Sequence, residues 1–385
     1  MDIVKYGIIG IGNMGVTHLK NFMEGQIENA CVSCVADLKE ERRQFVRDTY
    51  PGVQVFETGD EMIEKGDMDA VVIATPHYFH PYFAIKAFEK NLHVVCEKPA
   101  GVYTKQVKEM IEASKKSRGL FTMMFNQRTN CLYRKMREIV LEGGIGEVKR
   151  INWIITDWFR TQSYYDSGEW RATWSGEGGG VLFNQSPHQL DLIQWVPNMS
   201  PKRVRAYCKF GKYHDIEVED DVTAYFEYEN GATGVFITTT GDAPGTNRFE
   251  ISGTLGKLIC ENNELTYVKN SVEDSYQCKT ETLPYKKPDT VTTIVETDGE
   301  NPQHQGIFRN FTNAILGKEK LFVNGEEGLL GVELQDACLL SEWTNQMVTL
   351  PIDDDLYLSE LNKRIATSKK KTNVNERLLD HTGSY

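Results

Sequence analysis

The clearest chemistry in this 385-residue chain lies in Glu97-Lys98-Pro99, directly after the apolar run Leu92-His93-Val94-Val95-Cys96. Such a run reads as a buried parallel strand covered on both faces. Pro99 has no N–H and cannot continue a central strand, so Glu97 and Lys98 fall at its carboxyl end. In an open α/β sheet that edge is where ligands bind. A lysine there can polarise a substrate hydroxyl or exchange its proton, provided burial or a nearby cation lowers its pKa. The plain alternative is a solvated ion pair at a strand end.

A second group is Gly10-Ile11-Gly12-Asn13-Met14-Gly15, set between a strand-like run over 3–9 and a helically spaced run over 16–22. G-x-G-x-x-G in that context is a dinucleotide-binding pattern. The first glycine allows the turn and the second lets the backbone approach a pyrophosphate. The third permits close helix–strand packing. A second strand over 31–36 ends at Asp37, which follows the last glycine by the roughly 20 residues expected of a ribose-binding acid. A carboxylate there accepts bonds from ribose hydroxyls and repels a 2′-phosphate. NAD is therefore expected over NADP, even with Lys39, Arg42 and Arg43 nearby.

Further on, Gly178-Gly179-Gly180 precedes Asn184, His188 and Asp191. A helix expected over 181–195 would put Asn184 and His188, four apart, on one face. The plain alternative for His188 is a hydrogen-bonded core histidine, and Asp191 is expected to cap or brace. No metal site is expected. The stretch 157–175 is aromatic and irregular. Trp158, Tyr164, Tyr165, Trp170 and Trp174 can stack on a sugar ring while Arg160, Arg171 and Asn184 bond its hydroxyls. Equally, they can form a packing lid or an oligomer contact. His77, Tyr78 and Arg128 are weaker candidates for the cleft, and His304 reads as a polar residue opening a helix.

These residues must be positioned by ordinary elements. Charged residues are 25% of the chain and the net charge is −12, which disfavours nucleic acid or an anionic membrane as partner. No run approaches the roughly 20 apolar residues that span a bilayer. The strand-like run begins almost at the first residue, so no signal peptide is expected and cytoplasm is the expected location. The eight cysteines are expected to be reduced. Cys31 and Cys34 lie in one strand, where residues three apart point to opposite faces.

Strands over 69–76, 92–98 and 121–125 alternate with helices over 82–90 and 102–118, with Asn91 a left-handed cap. Residues 1–125 thus read as a doubly wound parallel α/β sheet. Residues 126–367 read as an α+β domain. It has helices over 131–142, 304–315 and 328–346 and strands over 147–156, 202–211, 221–229, 232–240, 246–252, 256–261 and 264–269. A turn at Glu229-Asn230-Gly231 makes one hairpin, and the domain's sheet is expected to be large, open and mostly antiparallel. Residues 348–351 suggest a short strand, and 368–385 a tail.

The combined pattern resembles the glucose–fructose oxidoreductase / inositol dehydrogenase / MocA family. It is carried by the glycine loop, Thr75-Pro76 with His80, Glu97-Lys98-Pro99, Asn126-x-Arg128, and the triple glycine before Asn184, His188 and Asp191. The resemblance implies a Rossmann domain and a second domain with a large open sheet, through which members form dimers or tetramers. It implies NAD(P)-linked oxidation or reduction of a sugar, glycoside, inositol or related polyol. Lys98 matches the catalytic lysine and His188 the catalytic histidine. Thr75, Pro76, His80, Glu97, Lys98 and Asn126 join Gly10, Gly12, Asn13, Met14, Gly15 and Asp37 as cofactor candidates. Lys98, Arg128, Trp158, Arg160, Trp170, Arg171, Asn184 and His188 are the substrate candidates.

Elementary chemistry agrees with that assignment. Hydride transfer from a carbinol carbon leaves a hydroxyl proton, which imidazole can accept near neutral pH while Lys98 stabilises the oxygen. The chain departs from the family at Asn184, where many members carry aspartate. An amide can orient an imidazole but not stabilise imidazolium, so a less basic histidine is expected. Two rivals remain at this level: tightly held NAD used transiently to cleave a glycoside, and a non-catalytic nucleotide-dependent sensor.

Overall fold

The computed structural model describes residues 3–369 together with Lys371 and Val374. Six short runs build the first sheet: β1 (Val4–Ile9), β2 (Ala30–Ala36), β3 (Gln54–Phe56), β4 (Ala70–Ile73), β5 (His93–Cys96) and β6 (Phe121–Met123). Their order is β3-β2-β1-β4-β5-β6, with every neighbouring pair parallel. Strand order reverses between β1 and β4, the switch point where such a sheet opens a crevice. All four residues of β4 are buried, as are Val94, Val95 and Cys96 of β5. That explains their unbroken apolar character.

Helices connect these strands. The helix Phe79–Glu89 is followed by Asn91 at φ 58, the left-handed stop expected there. Between Asp37 and Asp69 the structure holds elements that the sequence reading lacks: the helices Glu40–Thr49 and Gly59–Lys65 around β3. Glu40–Thr49 buries only Arg43 and Val46, and β3 has three residues. Neither offers enough apolar positions to show a period. Thr58 starts Gly59–Lys65 by accepting the Glu61 N–H.

The second sheet comprises β7 (Val148–Ile155), β8 (Arg203–Phe210), β9 (Glu219–Glu227), β10 (Thr233–Thr239), β11 (Asn247–Gly253), β12 (Gly256–Glu261), β13 (Glu264–Asn270), β14 (Thr290–Ile294) and β15 (Val348–Thr349). Its order is β14-β13-β12-β11-β7-β10-β9-β8-β15. The β7–β10 pair is parallel, and the remaining pairs are antiparallel. The β9–β10 hairpin turns around Glu229-Asn230-Gly231 as expected. Trp153 of β7 stacks on Phe249 of β11, centroids 4.1 Å apart.

Each sheet has its own apolar core. The late helix Gln303–Ile315 returns to the first core, burying Ile307, Phe308 and Phe311 there. Thr312 Oγ1 lies 2.8 Å from Tyr6 Oη.

The helix expected over 181–195 begins only at Pro187 and runs to Trp195. Proline favours the first helical turn and disfavours helix at the residue before it. Residues 181–186 therefore form turns, and Asn184 does not share a helical face with His188. A further helix, Asp354–Ile365, is capped by the Asp353 side chain. Most of the tail expected over 368–385 lies outside the described residues. Among the described residues no helix is long and apolar enough to cross a membrane.

Candidate active site

A cavity of about 740 Å³ opens where β1, β2, β4 and β5 end. Gly10 turns the chain there at φ +91, a region that disfavours a side chain. A Cβ at Gly15 would lie 1.8 Å from the Gly10 carbonyl oxygen, so helix and loop touch backbone to backbone. At Gly12 a Cβ would meet nothing within 4 Å, because that position faces open cavity. Asn13 and Met14 line the same wall at the start of the helix Asn13–Met23. This cradle fits a pyrophosphate at a helix N-terminus.

Asp37 lines the cavity beyond the loop. Its oxygens accept the N–H groups of Ile11 at 2.7 Å and Lys39 at 2.8 Å. Arg42 donates to the Ile11 carbonyl at 2.8 Å. Thr58, Gly59, Asp60, Tyr82 and Phe83 extend this end of the cavity. No motif marks those five in the sequence; the fold alone brings them together.

Lys98 and His188 meet at the other end, where Thr75, Pro76 and His80 also line the wall. The Lys98 ammonium donates to the Asn184 carbonyl oxygen at 2.8 Å. Burial lowers the Lys98 pKa, with Arg171 and Arg160 pressing the same way against Glu97 and Glu177. Burial, then the Lys98 charge, holds His188 well below its ordinary value. His188 Nδ1 is buried with no hydrogen-bond partner. Glu97 accepts from the Lys98 N–H at 3.1 Å, and its other oxygen lies 2.6 Å from His18 Nε2. Burial alone would raise the Glu97 carboxyl, but the bond and charge of His18, together with His304 and Lys98, outweigh it and hold the group at about 2. His80 bridges the carbonyls of Thr75 and Pro99, both at 2.7 Å. It therefore fixes the strand ends that carry the site.

Asn184 does not orient His188. Its amide nitrogen donates to Glu177, and its Oδ1 accepts from Tyr164 Oη at 3.0 Å. The turn before Pro187 aims it at the aromatic loop instead. Glu177, which the sequence reading missed, is buried and bonds Asn184 and the Ala172 N–H. Trp158, Arg160, Trp170 and Arg171 line the cavity, as do Tyr164, His77 and His304. Gln127, Gln185 and Gln189 complete this end without a sequence signal.

Arg128 is not at the cavity wall. It is 1% exposed and grips Asp191 through two bonds of 2.7 and 2.6 Å. A third bond of 2.7 Å reaches Glu327. Asp191 is thus the brace expected of it. Asn126 is fully buried and donates to Gln303 Oε1 at 2.5 Å behind the wall. Cys31 is exposed and Cys34 buried, on opposite faces of β2.

Comparison with known proteins adds the relationship. Residues 4–125 match the model of an oxidoreductase family with an NAD-binding Rossmann fold. Residues 133–259 match the Gfo/Idh/MocA C-terminal domain. The chain is similar to myo-inositol 2-dehydrogenase of Thermotoga maritima, 24% identical over 274 residues, spanning 69% of this chain and 77% of that protein. It is similar to 1,5-anhydro-D-fructose reductase of Ensifer adhaerens, 26% identical over 279 residues, 70% of this chain and 76% of that one. Among solved structures, the WlbA dehydrogenase of Bordetella pertussis in complex with NADH and UDP-GlcNAcA has a TM-score of 0.77 at 23% identity. That likeness covers 92% of this chain and 99% of the other, and concerns the fold.

Proposed function

The chain belongs to the Gfo/Idh/MocA family of NAD-binding oxidoreductases, and from that premise we propose that it is an NAD-dependent dehydrogenase of a sugar, glycoside or inositol. The observation that carries this reading is the meeting of Lys98 and His188 in the cavity that begins at the glycine loop. The names of the relatives, an inositol dehydrogenase and an anhydrofructose reductase, support the substrate class.

Bound NAD supplies the acceptor for the hydride leaving the carbinol carbon. The chain's residues manage the proton. With its pKa lowered, the His188 imidazole is neutral and ready to take the hydroxyl proton. The Lys98 ammonium, anchored on the Asn184 carbonyl, donates toward the same oxygen and stabilises negative charge as it develops. In the reductive direction His188 returns the proton. The glycine loop and Asp37 hold the cofactor, and the Asp37 carboxylate favours NAD over NADP. Trp158 and Trp170 stack on the ring.

Ile154, Tyr207 and Tyr225 leave large apolar surface on the outer face of the second sheet. The same reading pairs that face with a second copy in a dimer or tetramer. Purified protein given NAD or NADP with pyranoses, glucosides and inositols tests the whole. The expected result is NAD-linked turnover of one substrate class by an oligomer. Silence across the panel despite NADH binding overturns the reading, and a higher kcat/KM with NADP overturns the cofactor assignment.

A further inference from the structure

We propose that the substrate oxidised in this cavity carries an anionic group, a carboxylate or a phosphate, held by Arg171 and Arg160. This rests on the dehydrogenase reading above and names its substrate class.

Arg171 lines the cavity and is 9% exposed. Its nearest carboxylate, Glu177, is 4.0 Å away. Both Glu177 oxygens are already engaged, one by the Ala172 N–H and the other by the Asn184 amide. Among the described residues, the one hydrogen bond from the Arg171 guanidinium goes to Tyr164 Oη at 3.1 Å. Five N–H donors are available on an arginine. Those of Arg171 otherwise face aromatic rings, with its guanidinium carbon 4.6 Å from the Trp170 centroid and 4.8 Å from that of Tyr164.

Arg160 lies over the same Tyr164 ring at 5.3 Å. Among the described residues its guanidinium donates only to the carbonyls of Trp158 and Phe159, at 3.4 and 3.1 Å. Asp157 interacts with it electrostatically but does not line the cavity. Tyr164 is thus flanked by two guanidinium groups.

This cationic end connects to the reacting end. Lys98 bonds the Asn184 carbonyl at 2.8 Å, Asn184 Oδ1 accepts from Tyr164 at 3.0 Å, and Tyr164 accepts from Arg171 at 3.1 Å. The acids lining this end are Glu97, bound to His18, and Glu169 at the exposed rim. In a chain of net charge −12, the substrate end therefore gathers Lys98, Arg160 and Arg171. A neutral sugar would leave two planar donor forks facing rings. An anionic substituent accepts from them in the paired geometry that guanidinium groups favour.

The test compares hexuronates, hexose 6-phosphates and the matching neutral hexoses as substrates with NAD. The expected result is a kcat/KM advantage on the order of 100-fold for one anionic series over the neutral one. Which series wins separates carboxylate from phosphate. Arg171→Met should shrink that advantage to within about tenfold, with Arg171→Lys between the two. Neutral hexoses turning over as well as both anionic series would overturn the proposal and leave the dehydrogenase reading standing. That comparison uses the wild type alone, so it holds even if the variants do not fold. If no sugar in this set or among the glucosides and inositols turns over while NADH binds, the dehydrogenase reading fails, and what is left to test is the anion-binding site formed by Arg171 and Arg160. Calorimetric titration of D-glucuronate, D-glucose 6-phosphate and D-glucose into the NADH complex then decides. Preferential binding of one anionic sugar sustains the proposal, and equal or absent binding ends it.

Discussion

Burial governs the chemistry of individual residues here. His188 is held below its ordinary pKa by burial and by Lys98. Its imidazole is then neutral throughout the usual assay range, so oxidation loses no rate on crossing about pH 6.5, where a free histidine titrates. Lys98 is lowered from 10.5 by burial. Its ammonium is present at low pH and lost as pH rises through that lowered value. The kcat/KM for oxidation should therefore decline on the alkaline side below pH 10.5, with no acid limb centred near 6.5. An acid limb at that point contradicts the assignment of His188.

A second residue-scale expectation concerns Arg128. Arg128→Met leaves Asp191 buried without its cation, at a cost of about 3–5 kcal/mol readable by urea unfolding. A loss below about 1 kcal/mol would show that the pair is not the brace described. Legibility at this scale follows sequence distance. Lys98 and the glycine loop declare themselves because neighbouring residues supply their context. The pairing of Arg128 with partners 63 and 199 residues away has no local signature.

At the scale of elements, the apolar pattern yields the strands of both sheets within a few residues, except the three-residue β3 and β14, which is exposed along its whole length. It does so because their faces are buried uniformly or alternately. It fails on Glu40–Thr49, which buries only Arg43 and Val46 and leaves its apolar Phe45 exposed. It also fails at residues 181–186, where apolar Val181, Leu182 and Phe183 are buried in turns rather than on a helix. There Pro187 is the local signal against a helix at the residue before it. The central strand β7 depends on Trp153, fully buried against Phe249. Trp153→Ala should cost about 3–5 kcal/mol in the same unfolding assay. A variant as stable as the wild type would mean that the stack contributes nothing.

For the whole molecule, the buried titratable groups give stability a dome against pH. Burial pushes Glu219 up to about 8 and raises Asp336 well above its ordinary value. Folded protein therefore holds protons that the unfolded chain gives up, and stability from these groups falls as pH rises toward 8. His77, His80, His93, His188 and His304 are all lowered, chiefly by burial. Their contribution is complete above the unfolded value of about 6.5 and is lost as pH falls toward the folded values, because the unfolded chain then binds more protons. Urea midpoints should peak near pH 6.5 and drop on the acid side. A midpoint that keeps rising to about pH 5 would put the histidine contributions in error.

The most direct measurement is kcat/KM for NAD-linked oxidation of the best sugar by wild type, Lys98→Met and the Lys98→Met/His188→Asn pair, with NADH binding measured alongside. Losing the groups that handle the hydroxyl proton should lower the rate by at least about 10²–10⁴-fold while NADH still binds. Turnover in the double variant close to that of wild type would contradict the assignment of Lys98 and His188 to that proton.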